Sequence, residues 1–97
     1  MEIKWNKAAI SELMGAINFI EENEFYSYAV EVERNILSKI RSLSKNPLQY
    51  PLDKYKRQNK GNYRAFEINS YRISYRVQKD GIRILRVRHT SRRIRKY

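Results

Sequence analysis

Residues 63–89 read YRAFEINSYRISYRVQKDGIRILRVRH, and the period of this stretch decides the fold. At its centre Tyr71, Ile73, Tyr75 and Val77 alternate with Arg72, Ser74 and Arg76. Strict alternation marks a strand with one buried and one wet face, because successive side chains of extended backbone point opposite ways. YRAFEI at 63–68 and IRILRVRH at 82–89 flank it as two more strands. Asn69-Ser70 supplies one tight turn and Lys79-Asp80-Gly81 the other; Asp-Gly is expected there to take the positive φ that hairpin turns require. The last strand breaks the pattern. Ile82 and Ile84 share parity with Arg86 and Arg88, while Leu85 and Val87 share it with Arg83 and His89. A bulge, or a strand covered on both sides at one end, would reconcile the two sets.

Upstream, PLQYPLDKYKRQNKGN (47–62) carries both prolines and reads as a loop, long enough to suggest contact with a ligand. Before it, Ala29, Val32, Ile36, Ile40 and Leu43 form a helical stripe, supplemented by Val30 and Leu37, within a helix expected from about Phe25 to Lys45. Asn46-Pro47 ends it, since the residue before proline is pushed out of the α region. Ile10, Leu13, Met14, Ile17 and Ile20 predict another helix over about 7–22, with Asn6 as N-cap and EIKW (2–5) as a short strand. Two helices joined so closely form an antiparallel hairpin. The expected fold is α+β, in the order β-α-α-β-β-β. The N-terminal strand and αα-hairpin pack on one face of a twisted, mainly antiparallel sheet, as one domain over 1–97.

The charge is uneven. Residues 1–53 hold 6 basic and 8 acidic groups, whereas 54–97 hold 15 basic groups against Glu67 and Asp80 alone. Such asymmetry points to a polyanionic partner, nucleic acid first and an acidic protein second. There is no cysteine, so disulfides and thiolate metal sites are excluded, and a reducing cytoplasm is the expected setting. No apolar run reaches membrane-spanning length, and no secretory signal is visible. The three glycines are isolated, at 15, 61 and 81, and form no phosphate loop. No zinc, EF-hand or Ser/His/Asp pattern appears, and neither metal nor cofactor is expected.

Lys54, Lys56, Arg57, Lys60, Arg64, Arg72, Arg76, Arg92, Arg93, Arg95 and Lys96 are candidates to converge on the open side of the sheet. Tyr55, Tyr63, Tyr71, Tyr75 and Tyr97 are interleaved with them, a combination suited to phosphates and unpaired bases, although parity puts Tyr71 and Tyr75 in the core. RNA cleavage would require a base for the 2′-hydroxyl, a cation for the phosphate and an acid for the leaving oxygen. His89, Tyr97 and Glu67 are candidates for proton transfer, and Arg72 or Arg76 for holding the phosphate. The cations around Tyr97 are expected to favour its phenolate and lower its pKa. A structural histidine, a frayed terminal tyrosine and a surface ion pair are the plain alternatives for His89, Tyr97 and Glu67.

YRAFEINSYRISYRV, ILRVRH at the last strand, Asn-Pro after the second helix and the N-terminal strand with its helix hairpin together resemble the RelE/ParE superfamily. These are toxins of bacterial type II toxin–antitoxin modules. The resemblance implies a cytoplasmic toxin held by a cognate antitoxin, an acidic protein partly disordered when free. One branch, similar to RelE, cuts mRNA on the ribosome without a metal. It implies loop contacts from Lys54 and Lys56, and catalytic roles for Arg72, His89 and Tyr97, with Arg92 or Arg93 as a further phosphate ligand. The other branch, similar to ParE, poisons DNA gyrase and lacks the nuclease residues. Tyr97 and the lysine-rich DKYKRQNK loop favour the endoribonuclease. The gyrase poison is the alternative, and a non-toxic basic nucleic-acid-binding module is a third.

Overall fold

The structure is a computed structural model describing residues 1–97. Its elements are β1 (Glu2–Trp5), α1 (Lys7–Asn23), α2 (Tyr26–Ser42), β2 (Tyr63–Ile68), β3 (Tyr71–Gln78) and β4 (Gly81–His89). The four strands form one sheet in the order β1-β4-β3-β2, with β1 parallel to β4 and the other pairs antiparallel. The α+β architecture and the strand and helix order match the sequence reading.

The α2 stripe is buried as its spacing requires: Ala29, Val32, Ile36, Ile40 and Leu43 pack against Phe66, Tyr71, Ile73, Tyr75, Ile82, Ile84 and Val87. Each fully buried Ile or Leu here contributes about 1.5–3 kcal/mol. Val30 does not join them and is 43% exposed. On α1 the buried face is narrower than expected, because Ala9, Ile17 and Ile20 face the core while Ile10 and Met14 lie outside. Ala9 is fully buried, and so small a residue lets the helix approach closely with less apolar surface. Asn6 occupies the N-cap position without a side-chain cap bond; its Oδ1 accepts from Arg83 Nη1 at 3.2 Å instead.

The two turns behave differently. Asn69 and Ser70 both take positive φ, at 51° and 66°, as a two-residue hairpin turn requires. Neither Asp80 nor Gly81 does. Gly81 is needed for space: a Cβ there would lie 2.6 Å from the Glu2 carbonyl oxygen of β1. The parity break in β4 is a bulge. Ser74 pairs with Arg86 but Tyr75 with Ile84, leaving Leu85 as the extra residue. Ile82, Ile84 and Val87 therefore all reach the core, while Arg86 and Arg88 stand on the open face opposite Ser74 and Arg72.

Beside the bulge, Glu12 of α1 takes over where β1 ends. Its carboxylate accepts from the Val87 N–H at 3.0 Å and from Arg86 Nη2 at 2.7 Å. Burial opposes ionisation of Glu12, but the Arg86 hydrogen bonds, the Val87 N–H and the Arg86 charge outweigh it and hold its pKa below the ordinary value.

Candidate functional site on the open face of the sheet

The 47–62 loop and the segment after β4 meet over the open face. Leu52 bridges to Arg64, and the Asp53 N–H donates to the Tyr63 carbonyl at 2.9 Å, so the loop runs beside β2. From His89 the chain returns across the sheet until Tyr97 N–H donates to the Tyr55 carbonyl at 2.9 Å and Arg57 N–H to the Tyr97 carbonyl at 2.6 Å. The last residues thus form a strap pinned to the loop.

Asp53 is the pin. It is only 3% exposed, and its carboxylate accepts from Arg72 Nη2 at 2.8 Å, the Tyr97 hydroxyl at 2.7 Å and the Tyr55 N–H at 3.0 Å. Burial alone would raise its pKa, but these three donors and the Arg72 charge bring it below the usual carboxylate value. Arg72 also bonds Glu67 through Nη1 at 3.0 Å. Burial disfavours its charge, yet the bonds to Asp53 and Glu67 raise its pKa further. The Tyr97 phenol moves opposite to the sequence expectation. Burial, then the hydrogen bond to Asp53 and that carboxylate's charge, push its pKa well up, and the Arg72 charge recovers only part. The arginines near Tyr97 in sequence do not decide its titration; the buried acid in contact with it does.

Beside the pin lies a cleft of about 460 Å³ lined by Lys56, Arg72, Ser74, Arg86, Arg88 and Tyr97, with Leu85 and Ile94 as apolar walls. Cations already cover several of the aromatic rings. Lys56 Nζ sits 4.9 Å from the Tyr63 ring centre and 5.4 Å from that of Tyr97. Arg76 lies over Tyr63 at 5.2 Å and Arg72 over Tyr55 at 4.9 Å. Lys54 covers Tyr55 at 5.3 Å. Each such contact is worth roughly 0.5–2 kcal/mol and competes with base stacking.

Of the sequence candidates, Lys56, Arg72 and Tyr97 line this cleft, Arg76 is on the same face, and Lys54 and Arg57 sit on the loop at its edge. Arg92 and Arg93 occupy an adjoining rim. Two candidates go elsewhere. Arg64 pairs in register with Tyr75, on the helix side, and donates to the carbonyls of Tyr50 at 2.7 Å and Gly61 at 3.3 Å, which makes it a staple of the loop.

His89 pairs with buried Tyr71, and their rings meet edge to face at 5.1 Å. It therefore points to the helix side, into a groove with Gly15, Ala16 and Phe19 of α1 that Arg88 and Arg92 also border. There its Nδ1 accepts from the Ser91 N–H at 3.1 Å, leaving Nε2 as the free ring nitrogen. Strand parity separates the imidazole from the phenol, and the sheet lies between them.

Sequence reasoning missed Asp53, Glu12 and Arg88. The signal for Asp53 was a lone acid in PLDKYKR at the head of the basic half. Glu12 and Arg88 had no such signal, because both roles depend on the bulge.

A family model described as ParE toxin of type II toxin-antitoxin system, parDE, matches residues 3–94. Among solved structures, the chromosomal ParDE toxin–antitoxin system from P. aeruginosa superposes with a TM-score of 0.72 at 18% identity, over 92% of this chain and 95% of that one. At that identity the likeness is one of fold. A search of curated proteins returned no match.

Proposed function

The chain belongs to the ParE toxin family of type II toxin–antitoxin systems, and from that premise we propose that it poisons its target by docking on it, with DNA gyrase as the target. The observation that carries this reading is the occupation of the nuclease candidates. Arg72 is held by Asp53 and Glu67, and the Tyr97 hydroxyl donates a hydrogen bond to Asp53. A general base must be able to accept a proton near the working pH. A phenol whose pKa is raised by burial and an adjacent carboxylate is a poor base there, and His89 on the other face cannot assist it.

Membership of a type II module implies a cognate antitoxin. Exposed Met14, Phe19, Phe25 and Tyr26 on the helix hairpin support a protein partner on that side. No helix is long and apolar enough to cross a membrane, and action in the cytoplasm is part of the proposal.

One feature favours the ribosome-dependent mRNA endoribonuclease as a second reading: a cationic cleft with Lys56, Arg86 and Arg88 beside Tyr97. That enzyme would use 2′-hydroxyl attack and no cofactor. The two separate in one experiment. Purified protein is added to a gyrase supercoiling reaction and, in parallel, to a translation reaction with end-labelled mRNA. Docking predicts loss of supercoiling with trapped double-strand breaks and intact mRNA. Codon-positioned cuts that disappear in Tyr97→Phe, with supercoiling untouched, would overturn it.

A further inference from the structure

The three ion pairs of the structure join Arg72 to Asp53, Arg72 to Glu67 and Arg86 to Glu12. Arg88 has none, although it stands directly opposite Arg72 across the β3–β4 ladder, where like charges repel. Its Nε, like that of Arg76 on the same face, is buried without a hydrogen-bond partner, and of the two only Arg88 lines the cleft; its charge reaches Glu12 without forming an ion pair. A buried charged donor left unpaired is costly, so such a group marks a place where a ligand atom is expected. Arg88 lines three hollows: the cleft of about 460 Å³ described above, the His89 groove, and a rim hollow of about 360 Å³ where Arg92, Arg93, Arg95 and Lys96 surround the Arg86-paired Glu12 carboxylate. Cations thus run continuously from the sheet face onto the strap.

We infer that Arg88 is the centre of a phosphodiester-binding cleft, with Arg92, Arg93, Arg95 and Lys96 continuing it, and that its ligand is the backbone of duplex DNA. Phosphate oxygens suit guanidinium donors, and several cations in a row suit successive phosphates. Two observations select a duplex backbone. The tyrosines that would stack unpaired bases, Tyr55, Tyr63 and Tyr97, are already engaged by cations, which removes the usual grip on single strands. The large exposed apolar residues, which protein interfaces use as anchors, are concentrated on the helix hairpin, and of them only Phe19 reaches a groove shared with Arg88 and Arg92. An acidic protein therefore has its larger apolar footing on the helices, since the cationic cleft adds only Leu85 and Ile94 as aliphatic walls. The inference goes beyond the docking proposal and does not depend on gyrase being the target.

The test is fluorescence anisotropy of the purified protein with a labelled 20-base-pair duplex across a salt series. The variants are Arg88→Gln, the exposed double change Arg92→Gln with Arg93→Gln, and Arg34→Gln on the far side of α2 as a charge-matched control. Binding should weaken linearly in log–log form with salt. Arg88→Gln should lower the slope by roughly 1 and the affinity about five- to tenfold at about 0.1 M salt. The double change should lower both further, and Arg34→Gln should leave both unchanged. Equal losses in Arg34→Gln and Arg88→Gln would reduce the effect to net charge and overturn the site. Tighter binding of a single strand of the same length, or displacement of the duplex by poly-glutamate at equal charge, would overturn the choice of ligand. The double variant keeps the test decisive if Arg88→Gln folds poorly, since both its residues are exposed. Because the assay contains no gyrase, its failure is distinct from a failure of the docking proposal.

Discussion

Replacing Asp53 by Ala should unfasten the strap and much of the stability of the sheet's open face. The carboxylate accepts three hydrogen bonds, two of them from side chains that would otherwise remain on the same face. Breaking one partner out of a buried pair costs about 3–5 kcal/mol, because the remaining charge is left uncompensated. Arg72 keeps Glu67, but that side chain is 53% exposed and replaces little of the lost interaction. The lower end, about 3 kcal/mol, is the working value. For a chain of this length it lowers Tm by roughly 12–24 °C. Thermal unfolding followed by circular dichroism measures it. Amide hydrogen exchange adds a local readout, since the Tyr97 and Arg57 N–H groups are protected by the strap's two backbone bonds. Both should exchange more than tenfold faster in Asp53→Ala, on the order of 1.4 kcal/mol or more of lost protection. A Tm within about 4 °C of the parent, a shift worth no more than about 1 kcal/mol, would refute the reasoning, as would unchanged exchange at those two amides.

Four further outcomes follow from the structure. The pKa of Asp53 lies below its ordinary 3.8, so its stabilisation is present above about pH 4 and lost as pH falls through the lower folded value. Tyr97 shows the reverse. Its phenol titrates above its ordinary 10.0 in the fold, so its contribution is present below about pH 10 and lost as pH rises through the folded value. Urea titrations against pH should show a loss above pH 10 that is diminished in Tyr97→Phe, and an unchanged profile would contradict the part-buried bond to Asp53. Gly81→Ala should destabilise by about 1–3 kcal/mol in urea unfolding, because its methyl collides with the Glu2 carbonyl and displaces β1. His89→Ala should leave DNA affinity in the anisotropy assay within about twofold of the parent, or 0.4 kcal/mol, since register with Tyr71 turns the imidazole to the helix side of β4. A larger loss would place it on the basic face after all.

Much of this protein was legible in its linear text. Period two in Tyr71–Val77 and the 3.6-residue stripe of Ala29, Val32, Ile36, Ile40 and Leu43 determined the elements and their buried faces, because burial acts on every side chain at a fixed repeat. The crowding of 15 basic groups into 54–97 determined that one part of the molecule would be cationic. Tertiary structure decided what those groups do. The Leu85 bulge turns Arg88 to the open face while Val87 stays in the core, and strand parity sends His89 to the helix side. The strap lays Tyr97 on Asp53, 44 residues away in the chain, and reverses the titration expected from its arginine neighbours. A local pattern records which face a residue prefers; charge compensation depends on distances between residues far apart in sequence, and those exist only once the chain has folded.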